Sequence, residues 1–165
     1  MKISYCVECG APLQKHTVTK YACPKGHSFW NNPKSASGVI FRRGKDILYA
    51  VRGIEPHKGK LDVVGGFLEY NESPIDATVR EVYEETGLRI KPRDLALLGA
   101  FTAEYTPGNS SLALIYECRK WRGNPVPQDD VEDLLWGSPD LITSNRFAWE
   151  SKDFADLVHK ITASL

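Results

Sequence analysis

The sequence has no apolar run approaching the length of about 18 residues that a membrane-spanning helix needs. Its first ten residues, MKISYCVECG, lack the apolar stretch of a secretory signal. It has no excess of either charge: 21 Lys and Arg stand against 21 Asp and Glu. Net charge therefore gives no reason to expect a nucleic-acid or membrane partner. Cysteine is scarce, with four in 165 residues, too few for a disulfide scaffold. The expectation is a reducing, cytoplasmic location without structural disulfides. No internal repeat and no low-complexity tract occurs. What is present is a 42% hydrophobic fraction, enough for a real core, in a length that suits one compact domain with a small appendage.

Three of the four cysteines fall in the first 23 residues. Cys6-Val7-Glu8-Cys9 is a C-x2-C knuckle, a turn that lets two thiolates grip one tetrahedral zinc ion. After thirteen intervening residues comes Cys23-Pro24-Lys25-Gly26-His27. A zinc ribbon usually places a cysteine at position 26, which here is glycine, so His27 is the candidate fourth ligand and His16 the alternative. Residues 1–32 are expected to form a zinc ribbon with a structural Zn²⁺ held by Cys6, Cys9, Cys23 and His27. So short a unit buries too little apolar surface to fold without metal. Four protein ligands leave no open position for catalysis. Trp30 to Pro33 reads as a linker into a second unit, 33–165.

That unit is strand-rich at first. Gly38–Phe41 and Ile47–Val51 flank the turn signal Arg43-Gly44-Lys45-Asp46. The basic loop from Arg52 to Lys60 leads to a strand over Leu61–Val64 and then a turn at Gly65-Gly66, where a carbonyl can approach a metal because no Cβ intervenes. Leu95–Phe101 and Leu112–Tyr116 read as strands, joined by a loop over 106–111. Positions 123–133 read as a loop running into an acidic segment. Ser151 opens a C-terminal helix with Phe154, Leu157, Val158 and Ile161 on one stripe. Cys118 is expected to act as a small buried hydrophobe.

Between these lies the stretch GFLEYNESPIDATVREVYEETGL, residues 66–88. Ser73 is a helix N-cap, Pro74 suits the first helical position, Asp76 completes a capping box and Gly87 ends the helix. Ile75, Val79 and Val82 form the core stripe. Glu81, Glu84 and Glu85, spaced i, i+3 and i+4, project together from roughly the opposite side. Like charges so spaced repel, and hard divalent cations with oxygen ligands are their natural counterpart.

As it stands, the stretch is Gly66, five residues, Glu72, seven residues, Arg80-Glu81-Val82, Tyr83, Glu84-Glu85, Thr86, Gly87-Leu88. It resembles the signature of the Nudix hydrolases, G-x5-E-x7-R-E-U-x-E-E-x-G-U with U aliphatic, at every specified position. One departure precedes it: Val64 stands where the family usually has proline before Gly-Gly. The resemblance implies an α/β/α sandwich with a mixed sheet. It also implies hydrolysis of a nucleoside diphosphate linked to a further moiety, with Mg²⁺ or Mn²⁺ held by Glu81, Glu84 and Glu85 and by the Gly65 carbonyl. By the family pattern the general base is one of these glutamates or one from a later loop. Glu81, Glu132 and Glu104 are the candidates in that order. Arg80 is expected to orient the glutamates, notably Glu72.

A zinc ribbon ahead of such a domain is similar to two groups, NADH pyrophosphatases and enzymes acting on ADP-ribose or FAD. The SQPWPFPxS array of the first group does not follow Leu88, so ADP-ribose or a related dinucleotide is the first expectation. NADH and nucleoside triphosphates are the enzymatic alternatives. Adenine would stack on Tyr105, Phe101 or Phe147, and Arg52, His57, Lys58 and Lys60 would face the diphosphate. The partner is thus a small-molecule nucleotide, and the resemblance leaves a homodimer open. The reading of a different class is a zinc-ribbon binding module or regulator, against which the intact motif argues.

Overall fold

The computed structural model describes residues 4–163. The chain begins with a small antiparallel sheet of β1 (Gln14–Lys15), β2 (Lys20–Ala22) and β3 (Ser28–Trp30). Trp30, read from sequence as linker, pairs with Lys20 and closes this sheet. Every residue of its strands is exposed or half-buried. The buried side chains between positions 4 and 30 are Cys6 and Cys23. This unit has cysteine sulfur where other folds have a hydrophobic core.

The main sheet is built on β4 (Lys34–Arg43). Along one side β4 runs parallel to β9 (Asn109–Cys118), from Lys34 opposite Ser111 to Phe41 opposite Cys118. On its other side it parts two strands. Ala36–Val39 pair with β7 (Val64–Phe67), and Arg42–Arg43 pair with β5 (Asp46–Arg52) across the predicted turn. β8 (Leu95–Thr106) flanks β9, β10 (Val131–Gly137) flanks β5, and the short β6 (Leu61–Asp62) also pairs with β5. All these pairings but β4–β9 are antiparallel, so the sheet is mixed.

Side chains alternate between two cores, as the period of two in a strand requires. Val39, Phe41, Leu48, Ala50, Tyr116 and Cys118 face one core, closed by Val82 of α1 (Pro74–Thr86). Ile40, Ile47, Tyr49 and Ile115 face the other, closed by Phe154 and Val158 of α2 (Lys152–Ala163). This is the expected α/β/α sandwich. Among the described residues no helix is long and apolar enough to cross a membrane.

Several local expectations change. The strand over Leu61–Val64 is broken at Val63, and Gly65-Gly66 lie within β7 rather than in a turn. The loop over 106–111 shrinks to Pro107-Gly108, because β8 and β9 extend into it. Past Asp130 the acidic segment is a strand, β10, whose register shifts between Val131 and Asp133. Ile75 is 37% exposed, whereas Val82 is fully buried. The helix turns Ala77, Thr78 and Glu85 inward instead.

Candidate active site

Helix α1 starts as its sequence predicts. The Asp76 amide donates to Ser73 Oγ at 3.2 Å, and Pro74 fills the first turn, where no donor is needed. The Asp76 carboxylate accepts from the Ser73 hydroxyl at 2.7 Å. Gly87, at φ 67°, ends the helix and donates its N–H to Tyr83.

Arg80 is the centre of a carboxylate web. Its Nε and Nη2 donate to the two oxygens of Glu72 at 2.8 and 2.9 Å, a bidentate fork. Nη1 donates to Glu81 and to Glu84, each at 2.9 Å, and Nη2 also reaches the Phe67 carbonyl at 3.2 Å. The Arg80 hydrogen bonds hold the Glu72 carboxyl down to about 2. All of these donors are spent on the protein itself, as expected of a residue that positions others.

Glu85 is buried, and its Oε2 accepts the Gly65 N–H at 2.9 Å. Burial pushes its carboxyl well above the ordinary range, and the neighbouring Asp130, Glu81 and Asp62 add to the effect. Burial likewise raises Glu81, against the pull of Arg80. Gly65 is at φ 145°, and a Cβ there would collide with the Ser37 carbonyl and the Gly38 Cα. A Cβ on Gly66 would strike the Glu81 carboxylate. The two glycines therefore let strand β7 press against both acids.

These groups line a cleft of about 390 Å³. Its walls carry Glu69, Glu81, Glu84, Glu85, Asp62, Asp129 and Asp130 against only two cations, Arg52 and Arg80. Oxygen donors crowded around a buried carboxylate fit a hard divalent cation. Opposite the glutamates, Arg52 donates to Asp62 Oδ2 at 3.0 Å and to Tyr105 Oη at 3.4 Å. Trp149 Nε1 donates to Asp62 Oδ1 at 2.8 Å. Burial raises the Asp62 carboxyl, opposed by Trp149 and Arg52.

Of the residues singled out from sequence, the cleft brings together Gly65, Arg80, Glu81, Glu84, Glu85, Arg52, Tyr105 and Phe101. Glu72 joins through Arg80. Others fall outside its walls. Glu132 sits at the β10 register shift and is exposed, because Val131 takes the inward position. Glu104 is spent on the β8–β9 turn, accepting the Gly108 N–H at 2.7 Å. Lys60 is not among the lining residues, and its amide closes a turn onto the His57 carbonyl. His57 Nε2 lies 3.2 Å from the Tyr105 carbonyl, Lys58 is exposed and Phe147 is core.

Asp129 and Asp130, and not Glu132, line the cleft. Asp129 adopts φ 53°, and the Asp130 carbonyl accepts the Gly53 N–H at 2.6 Å. The run of four acids was visible, but which of them turns inward depends on a left-handed residue and a bulge. Asp62 and Trp149 were missed, and only the fold brings them together.

The second constellation is the sulfur cluster. The ligand atoms of Cys6, Cys9, Cys23 and His27 all lie within 4.8 Å of one another. Tetrahedral zinc sets its thiolates about 3.8 Å apart and a thiolate about 3.6 Å from an imidazole nitrogen. Cys9 and Cys23 Sγ are 3.8 Å apart, and Cys6 Sγ is 3.5 Å from His27 Nδ1. The donor set fits zinc. His16 is exposed and outside the cluster. Gly26, at φ 87°, turns the second knuckle over so that the longer side chain of His27 completes it.

Comparison with known proteins agrees with this architecture. A family model of the NUDIX domain matches residues 32–158. The ADP-ribose pyrophosphatase of Methanocaldococcus jannaschii is 35% identical over 110 residues, 66% of this chain and 64% of that protein. The NAD-capped RNA hydrolase NudC of Pseudomonas aeruginosa is 30% identical over 141 residues, 84% of this chain and 49% of its own. The chain thus spans about half the length of its NudC relatives. In fold it is similar to a Nudix hydrolase from Nitrosomonas europaea, with TM-score 0.70 and 22% identity over 98% of this chain and 91% of that one. With its helix of glutamates set against the paired glycines, and a domain match over most of its length, the chain belongs to the Nudix family.

Proposed function

We propose that this chain hydrolyses the diphosphate linkage of a nucleoside diphosphate derivative, ADP-ribose or a related dinucleotide such as FAD. The observation that carries the reading is Glu85, a buried carboxylate with one backbone donor, facing Glu81 and Asp130 at the floor of an open cleft. Glu81, Glu84 and Glu85, joined by Asp130, would hold Mg²⁺ or Mn²⁺. Such an ion neutralises phosphate charge and acidifies water. Arg80 fixes Glu81 and Glu84 and anchors the loop through Glu72. Glu81, which lines the cleft beside Glu84 and Glu85, takes the proton of the attacking water. Arg52 and Tyr105 form the opposite wall, an aromatic face beside a cation, which suits a nucleotide. The relative named ADP-ribose pyrophosphatase supports this substrate. Cys6, Cys9, Cys23 and His27 would hold a structural zinc.

A second reading, NADH or another NAD-linked substrate, is favoured by the NudC relatives, which align with up to 84% of the chain. A panel of ADP-ribose, FAD, NADH and dGTP with Mg²⁺ tests both. ADP-ribose is expected to turn over fastest, and Glu85→Gln to lower the rate about 100-fold or more. Fastest turnover of NADH selects the second reading. No turnover, or a variant equal to the parent, rejects hydrolysis and leaves a binding role.

A further inference from the structure

A second cavity, of about 560 Å³, lies just past the C-terminal end of α1 and shares no lining residue with the acidic cleft. Arg89, Lys91, Arg93, Lys120 and Arg122 line it with Trp121, and Asp94 is the one carboxylate in its wall. Reciprocal backbone hydrogen bonds between Arg89 and Arg122, at 3.0 and 2.9 Å, hold the two contributing segments together. Trp121 is half-buried and fixed edge-on to Phe41 at 5.4 Å and stacked on Trp136 at 6.2 Å, so it is a rigid wall.

The five cations are exposed. Among the described residues none of them joins a salt bridge, although Arg42, Arg52, Arg80 and Arg119 each do. Arg89 instead lies 5.8 Å from the ring of Tyr83, a cation–π contact that brings no negative formal charge to it. Five positive charges around a concavity repel one another and focus a positive potential into it. In a chain with no net charge, this is a local excess that the molecule does not neutralise by itself. Arginine forks match phosphate oxygens, and lysine adds point charge. A cavity of this size suits a small molecule.

We propose that this cavity binds a phosphate-chain anion of nucleotide size, at a site separate from the catalytic cleft. Two sources share that chemistry, a bare polyphosphate and a nucleoside polyphosphate whose base lies against Trp121. The proposal does not rest on the hydrolase reading, because binding is measured without turnover.

The test is calorimetric titration of the full chain with inorganic tripolyphosphate and with ATP. It is run in buffer lacking divalent cations, where the acidic cleft repels both probes. About one equivalent is expected to bind, with an affinity that falls steeply as NaCl rises. The Lys91→Glu/Arg93→Glu double variant, altered only at exposed positions outside the catalytic cleft, should bind about tenfold more weakly with its Mg²⁺-dependent turnover unchanged. Lys120→Gln, which removes a charge without introducing one, serves as the second variant and should lose several-fold. Tighter binding of ATP assigns the nucleotide, and equal binding assigns the bare chain; either upholds the site. Absence of saturable binding by both probes overturns it, as does an affinity unchanged in the folded variants.

Discussion

A carboxylate buried beside other carboxylates is an expensive residue for a folded chain to carry, and Glu85 is the clearest case here. Its proton affinity is raised in the fold by burial first and by Asp130, Glu81 and Asp62 after it. At neutral pH the unfolded chain holds Glu85 ionised at no cost. The folded chain must either protonate it or bury the charge, and both lower stability. Glu85→Gln keeps the shape and removes that burden. In divalent-free buffer it should unfold at a higher urea concentration than the parent, by on the order of 1 kcal/mol, while hydrolysis collapses. Lower stability together with lost activity would mean that Glu85 is a structural residue. A second pair of variants separates the acids of the later loop. Asp130→Asn should reduce the rate at least about tenfold, because Asp130 lines the cleft. Glu132→Gln should leave it within about twofold, as suits an exposed surface position. Equal effects on kcat/KM would refute the assignment of the inward place to Asp130.

At the scale of elements, α1 was legible almost to the residue, because its start, stop and charge spacing are all local signals. Its inward face was not. Ile75, Val79 and Val82 satisfied the apolar period, yet the helix rolls so that Glu85 points inward and Ile75 outward. No count of hydrophobic residues anticipates a helix packed to place a carboxylate. The loop before α1 hangs on Glu72, whose carboxyl the Arg80 fork holds at about 2. Because its folded value is depressed, its contribution is complete above the unfolded value of 4.5 and is lost as pH falls toward 2. Unfolding of the parent and of Glu72→Gln should therefore differ most at neutral pH and converge in acid, which urea titrations at several pH values would show. Between positions 4 and 30 only Cys6 and Cys23 are buried, and both lie outside the strands. Chelation of the proposed zinc should therefore unfold positions 4–30 and leave the main sheet intact, visible as selective loss of amide protection. His27→Ala should lose the metal, and His16→Ala should keep one equivalent by metal analysis.

Across the whole molecule, the three-layer sandwich was implied by the family resemblance, and the strand and helix periods agree with it. The tie between its layers was not, because it is made by residues far apart in the chain. Trp149 precedes α2 and stacks on Phe154 at 4.9 Å, in the core on the far side of the sheet from α1. Its indole also lines the cleft, where its N–H donates to Asp62 Oδ1 at 2.8 Å. Asp62 in turn holds Arg52, which meets Tyr105. The segment leading into α2 thus braces the Arg52–Tyr105 wall of the cleft, through a carboxylate that burial would otherwise disfavour. Trp149→Phe keeps an aromatic ring beside Phe147 and Phe154 but removes the donor and part of the ring volume. It should cost at least about 1–3 kcal/mol, the penalty for leaving a buried acceptor short of a partner, with the cavity adding to it. It should raise KM by loosening Arg52 while leaving kcat nearly unchanged, since Glu81 and Glu85 stand on the other wall. Denaturant titration and steady-state kinetics on the same variant decide the matter. A fall in kcat at constant KM would place Trp149 with the chemistry, and no change in stability would show that Asp62 does not need it.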